Sequence, residues 1–178
     1  MGSAAVGPIL ITVPEGFQTA QTQRLKKTLI TAWTKSVRRT GMKTLLQINV
    51  FEFGAPAGGP HPAAPLAEAD LPRYAEKYLR QFLADLQHRR GNFVASPVAH
   101  IKLAELPAVR ASWNGSVGGR PVVGVMYSVI VRNRYAVIFH TQDLGSTPTS
   151  GMFEAMSSIE SVAVQPDGEP TSITTLPK

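Results

Sequence analysis

Apolar and polar residues alternate with two periods along this chain, and the change of period marks out its elements. Between residues 71 and 90, Leu71, Tyr74, Ala75, Tyr78, Leu79, Phe82, Leu83 and Leu86 recur at i, i+3, i+4, i+7 and onward. This predicts one helix with a continuous apolar stripe. Asp70 is placed to cap it, Pro72 suits its first turn, and Arg89-Arg90-Gly91 reads as its stop. A second, shorter helix is expected from near Thr149 to Ile159, with Met152, Phe153, Met156 and Ile159 as its apolar positions. Elsewhere the period is two. Ile9–Val13 is a short β-branched run closed by Pro14-Glu15-Gly16, a strand and a turn. Lys43 to Phe53 alternates cleanly and reads as a strand.

Residues 21–37 fit both periods. Leu25, Leu29, Ile30, Trp33 and Val37 suit a helix, while the Thr and β-branched content favours a strand. The preferred reading is a hairpin of 28–37 with 43–53, turning at Arg39-Thr40-Gly41. From Phe93 onward strands dominate. Val98 to Leu103 alternates, Leu106-Pro107 is read as an interruption, and Ala108 to Trp113 resumes the strand. Asn114-Gly115 and Gly118-Gly119 are read as bracketing a turn. Val122 to Val131 is apolar on both faces, as in a central strand covered on both sides. Arg132-Asn133 is expected to turn the chain into a partner strand over 135–141.

At 178 residues the chain fits one domain, long enough to bury roughly 70% of its unfolded surface without a metal or disulfide. The expected organisation is a disordered or vector-derived tail over 1–8, one domain over 9–164, and a C-terminal tail over 165–178. The loop 54–65, with four prolines and three glycines, sustains neither helix nor strand. Two amphipathic helices and one sheet apolar on both faces predict an α+β fold. In it, an antiparallel sheet is flanked by helices in a three-layer α/β/α sandwich.

The order of elements and their punctuation resembles the PsbP/DcrB-like superfold. The residues that carry the resemblance are Val13-Pro14-Glu15-Gly16-Phe17, the run from Leu106 to Gly115, and the Tyr127 strand with its partner ending at His140-Thr141-Gln142-Asp143. The closing helix, Met152 to Ile159 before Glu160-Ser161-Val162, completes it. The likeness spans about residues 9 to 164. It implies a non-enzymatic role, since members include extrinsic photosystem subunits, periplasmic or lipid-anchored envelope proteins, small protein-binding regulators and chaperones of secreted effectors. It carries over no site residue. The long 54–65 loop and the acid-free basic stretch depart from a typical member.

Charge narrows the function further. The net charge is +6, and residues 16–51 hold Arg24, Lys26, Lys27, Lys35, Arg38, Arg39 and Lys43 without one Asp or Glu. Such a segment suits an acidic protein partner or another anionic surface, and it matches no specific nucleic-acid motif. Arg38, Arg39 and Lys43 are taken as its contact residues. Trp113 beside a Gly-rich turn, with Arg110 nearby, is a second candidate binding pair.

The chemistry sought elsewhere is sparse. No cysteine is present, which removes thiolate metal sites and cysteine nucleophiles. His61, His88, His100 and His140 are scattered, so no metal is expected; the nearest pair is His140 with Asp143. Ser128, His140 and Asp143 make a triad only on paper, because Ser128 lies mid-strand without the sharp turn that presents a nucleophile. No cofactor is expected. No apolar run approaches the ~18 residues of a membrane span.

The function expected is therefore a non-catalytic binding or accessory protein of the bacterial envelope, periplasmic or envelope-associated. A cytosolic chaperone or adaptor for a secreted effector and a hydrolase with an unfamiliar site are the alternatives.

Overall fold

The computed structural model describes residues 2–36, 41, 43–53 and 66–166, apart from the Ala20 side chain. Its frame is an eight-stranded antiparallel sheet. In chain order its strands are β3 (Gln18–Leu25), β4 (Thr28–Ser36), β5 (Lys43–Glu52), β6 (Gly91–Ala95), β7 (Ala99–Leu103), β8 (Leu106–Val117), β9 (Arg120–Val131) and β10 (Tyr135–Leu144). In space they run β3-β4-β5-β10-β9-β8, and β6 and β7 share the outer edge of β8. A second sheet of three strands is built from β1 (Gly2–Val6), β2 (Ile9–Val13) and β11 (Ala163–Val164), in the order β1-β2-β11.

The apolar strand β9 decides the layering. Its Val122, Met126 and Ile130 face helix α1 (Leu71–Arg89), whose Leu71, Ala75, Leu79, Leu83 and Leu86 are buried against them. Its Val125, Tyr127, Val129 and Val131 face the opposite layer. That layer consists of helix α2 (Ser150–Glu160) together with the small sheet, which contribute Met152, Ala155 and Ile159 and Ala4, Val6, Ile9 and Ile11. Alternation on strands sends every second side chain into each of the two cores. The protein is thus of the α+β class, with an antiparallel sheet and a helix on each face.

Several expectations are corrected. Residues 1–8 were expected to be a tail, but Gly2–Val6 is a strand paired with β2 through Gly2↔Val13 to Val6↔Ile9. Ala4 and Val6 sit in the core, and Gly7, at φ +55, turns the hairpin. In the ambiguous 21–37 region the described residues, up to Ser36, take the preferred strand form, on both sides of a turn at Lys26-Lys27 that was not expected, with Leu25 half exposed.

Leu106-Pro107 is not an interruption. The break is Ala104-Glu105, both at positive φ, and Pro107 lies within β8 opposite Lys102. Asn114-Gly115 stays inside β8, and the turn itself is Gly118-Gly119, at φ +55 and +76. Asp70 does not cap α1 with its side chain; it is the last residue of a short 3-10 turn, Glu68–Asp70, and pairs with Arg73 at 3.2 Å. Phe153 points away from the core and is 57% exposed, because Met152 and Ala155 occupy the buried face of α2.

Over its described residues the expected 28–37/43–53 hairpin is present as β4 and β5, in register from Thr28↔Phe51 to Ser36↔Lys43. The Arg132-Asn133 turn is present as well, with both residues at positive φ. The 54–65 loop, the Arg39-Thr40-Gly41 turn apart from Gly41, and the end from 167 on lie outside the described residues.

Candidate functional site

The basic stretch is not one patch. Lys26 and Lys27 turn the chain between β3 and β4, whereas Lys35 and Lys43 stand where β4 ends and β5 begins. A strand of this length at ~3.3 Å per residue separates the two groups by roughly 25 Å. Lys35 is engaged: its Nζ lies 2.6 Å from Glu154 Oε2 and 5.8 Å from the centre of the Phe17 ring. Lys43 is exposed beside Ser36. Arg38 and Arg39 lie outside the described residues.

The turn end of the hairpin gathers cations from a second source. The backbone N–H of Glu52 donates to Lys27 O at 3.0 Å, and that of Phe53 donates to Arg134 O at 2.9 Å. Glu52, which ends β5, and Phe53 after it therefore lock the Lys26-Lys27 turn next to the Arg132–Arg134 turn. Arg134 Nε donates to Glu52 Oε1 at 2.8 Å, and the Arg132 guanidinium donates to the Gln165 carbonyl. Arg24, Lys26 and Lys27 are exposed and enter no ion pair among the described residues. Among the described residues, five cations thus share one rim with one carboxylate, that of Glu52. Sequence reading had Arg24, Lys26 and Lys27 within the basic stretch but took Arg132-Asn133 only as a turn. The available signal was that both hairpin turns are built from basic residues.

Arg110 and Trp113 do not form a joint site. Three residues apart on one strand, they project from opposite faces. Arg110 faces α2, with Nη1 3.6 Å from Glu160 Oε1, and Glu160 also accepts from the Tyr127 hydroxyl at 3.1 Å. Burial first, and then the Glu160 charge, push the Tyr127 phenol upward. Trp113 is buried on the α1 side, 5.8 Å from the Phe93 ring, 5.6 Å from the His140 ring and 5.9 Å from the Arg90 guanidinium. It belongs to the core on that side.

The same parity separates the paper triad. Ser128 and His140 are buried on the α1 side, while Asp143 faces the other layer and accepts from Thr44 and Thr149. His140 is pushed down to about 3, chiefly by burial and then by Arg90 and Arg89, so it is neutral at physiological pH. Among the described residues no three His, Asp or Glu side chains are placed to share a metal ion. No described helix is long and apolar enough to cross a membrane.

One groove of about 1050 Å³ runs along the outer side of α2. Phe153, Ser157 and Ser161 line one wall, and Thr12, Pro14 and Gly16 line the other. The Ser158 hydroxyl, bonded to the Thr12 carbonyl, closes its floor.

Comparison with known proteins places the fold. No protein-family model matches the chain, and no curated protein sequence matches it. Among solved structures it is similar to LpqN of Mycobacterium tuberculosis, a protein involved in cell envelope biogenesis. The TM-score is 0.56 and the identity 14%, over 91% of this chain and 86% of that one. It is also similar to Mog1p, a Ran-binding protein of Saccharomyces cerevisiae, with a TM-score of 0.55 and 9% identity over 92% of this chain and 96% of that one. At these identities the likeness shows a shared fold.

Proposed function

We propose that the protein is a non-catalytic binding or accessory protein that holds an acidic protein partner against the cationic rim of Arg24, Lys26, Lys27 and Arg132. The observation that carries this reading is the locking of two basic turns side by side by Glu52 and Phe53, with three of the cations unpaired among the described residues. Clustered like charge raises the local potential and steers an oppositely charged partner. Likeness in fold to a protein of envelope biogenesis and to a protein-binding protein supports an accessory role at the bacterial envelope. A periplasmic or lipid-anchored member of the PsbP/DcrB-like superfold is the finer form of the proposal.

The test is capture of envelope proteins by the full chain at about 0.1 M and at higher salt, where exposed charges are screened within ~10 Å. The triple variant Arg24→Glu, Lys26→Glu, Lys27→Glu should lose the partners that the parent recovers at low salt, and Lys43→Glu should keep them. Recovery of the same partners by the triple variant would overturn the reading. Co-sedimentation with anionic phospholipid vesicles, equally lost in the triple variant, would instead identify a membrane surface.

The groove beside α2 favours a second reading, a chaperone or adaptor for a secreted effector. Its wall carries Phe153, exposed where a core position was expected. Co-purification of an apolar helical segment that Phe153→Asp abolishes would support it.

A further inference from the structure

Strand β3 is an edge of the large sheet, and among the described residues no strand pairs with its outer side. Its described side chains, Gln18, Thr19 and Gln21 to Leu25, are all exposed. Leu25 and Thr28 close a two-residue turn and face each other in register. In an antiparallel ladder such a closing pair is hydrogen-bonded, and every second residue after it is too. The backbone groups of Gln21, Gln23 and Leu25 therefore point to β4, and those of Thr22 and Arg24 point outward. No other described backbone reaches them.

The opposite edge of the sheet is built differently. There β6 and β7 are short and are separated by Ser96-Pro97-Val98, and Ser96 is tied back to Ser112 through both its backbone and its hydroxyl. A proline break of this kind blunts an edge against added strands.

We infer that β3 receives an extended, acidic segment of the partner as an added antiparallel strand, with the cationic rim gripping its carboxylates. The inference rests on the acidic-partner reading above and specifies how that partner is held. An added strand gains affinity from main-chain hydrogen bonds and specificity from its side chains. Thr22 and Arg24 offer the main-chain groups. Arg24, Lys26 and Lys27 supply the charge, and Leu25, 50% exposed, supplies an apolar contact. The charge also chooses between occupants. Strands β3 and β4 carry no carboxylate and the chain is +6, so a second copy meets like charge at this edge, whereas an acidic strand meets opposite charge.

Two capped eight-residue peptides of equal negative charge test the idea on the full chain. One is a strand former of Val, Thr and Glu; in the other, two Val are replaced by Pro. The strand former should bind at least about tenfold tighter, weaken with salt, and slow hydrogen exchange at the Thr22 and Arg24 amides. Thr22→Pro removes an outward N–H and no bond to β4, so it should fold with an unchanged melting temperature and lose the preference between the peptides. Should that variant fail to fold, amide protection in the parent chain decides.

Equal binding of both peptides, without protection of Thr22 and Arg24, sinks the added strand and leaves the cationic rim standing. Failure of both peptides to bind, or binding indifferent to salt, removes the rim reading as well. A dimer of the free chain that Thr22→Pro dissociates makes the occupant a second copy and overturns the proposal.

Discussion

The Thr44 hydroxyl donates a 2.5 Å hydrogen bond to Asp143 Oδ1 across the β5–β10 pair, where the two residues are direct partners in register. Both are 1% exposed. The other carboxyl oxygen accepts the Thr149 backbone N–H at 2.6 Å, at the residue that precedes α2. Thr149 makes no capping bond with its own side chain. A carboxyl held by the sheet thus ties down the start of the helix, joining two layers of the fold.

Asp143→Ala leaves a buried hydroxyl and a helix-entry N–H without their partner. It should cost roughly 2–3 kcal/mol in urea unfolding, against about 1 kcal/mol for Thr44→Val. Equal and small losses for the two would show that the carboxyl is hydrated rather than shared. Gly151→Ala should be costly by steric clash, since its added methyl would lie 2.7 Å from Thr44 Oγ1.

Gly124 is a packing requirement of Trp113. A methyl at 124 would stand 2.4 Å from two carbons of the buried indole. Gly124→Ala should therefore destabilise by about 1–3 kcal/mol, as overpacking does. The double variant with Trp113→Leu should lose less than the sum of the single losses, because the two residues share one space. Strict additivity in thermal unfolding would contradict the contact.

His140 makes stability fall in acid. Its folded value, about 3, lies below the ordinary histidine value of 6.5. Below about pH 6.5 the unfolded chain gains a proton there that the folded chain refuses. The stabilisation is complete above that pH and is lost as pH falls towards 3, with a slope approaching about 1.4 kcal/mol per pH unit. Unfolding free energies measured from pH 7 to pH 4 should flatten in His140→Leu. An unchanged slope would mean that another group carries the loss.

Met152 and Phe153 are neighbours on α2 with opposite environments, 1% and 57% exposed. Met152→Ala should cost about 2–5 kcal/mol and Phe153→Ala should stay within about 0.5 kcal/mol. A large loss for Phe153→Ala would place its ring in the core.

Periodicity found α1, α2 and β5 because each has one clear period and burial on the face that period marks, and the unbroken apolar run found β9, which is buried on both faces. It failed where a turn used unexpected residues. Lys26-Lys27 and Ala104-Glu105 contain no glycine or proline, yet Lys26, Ala104 and Glu105 adopt positive φ, so neither turn announced itself. Pro107 and Asn114-Gly115 carried turn chemistry without turning, since pairing with β7, β6 and β9 holds them in line. Tertiary pairing overrode local preference in both directions.

The candidate surface was half legible. The acid-free run of cations is visible in one dimension, but a hairpin folds such a run back on itself and sends its two ends to opposite ends of the sheet.

Composition and periodicity alone determined the α+β class, the two helices, the doubly buried central strand and the positive charge. These are local properties: side-chain period, β-branching and count of charges. Tertiary structure alone decided that Gly2–Val6 joins a second sheet, and that Arg110 and Trp113 part to opposite faces. It also brought Lys26-Lys27 beside Arg132–Arg134. Each of these depends on strand register and pairing between residues far apart in the chain, which no local pattern encodes.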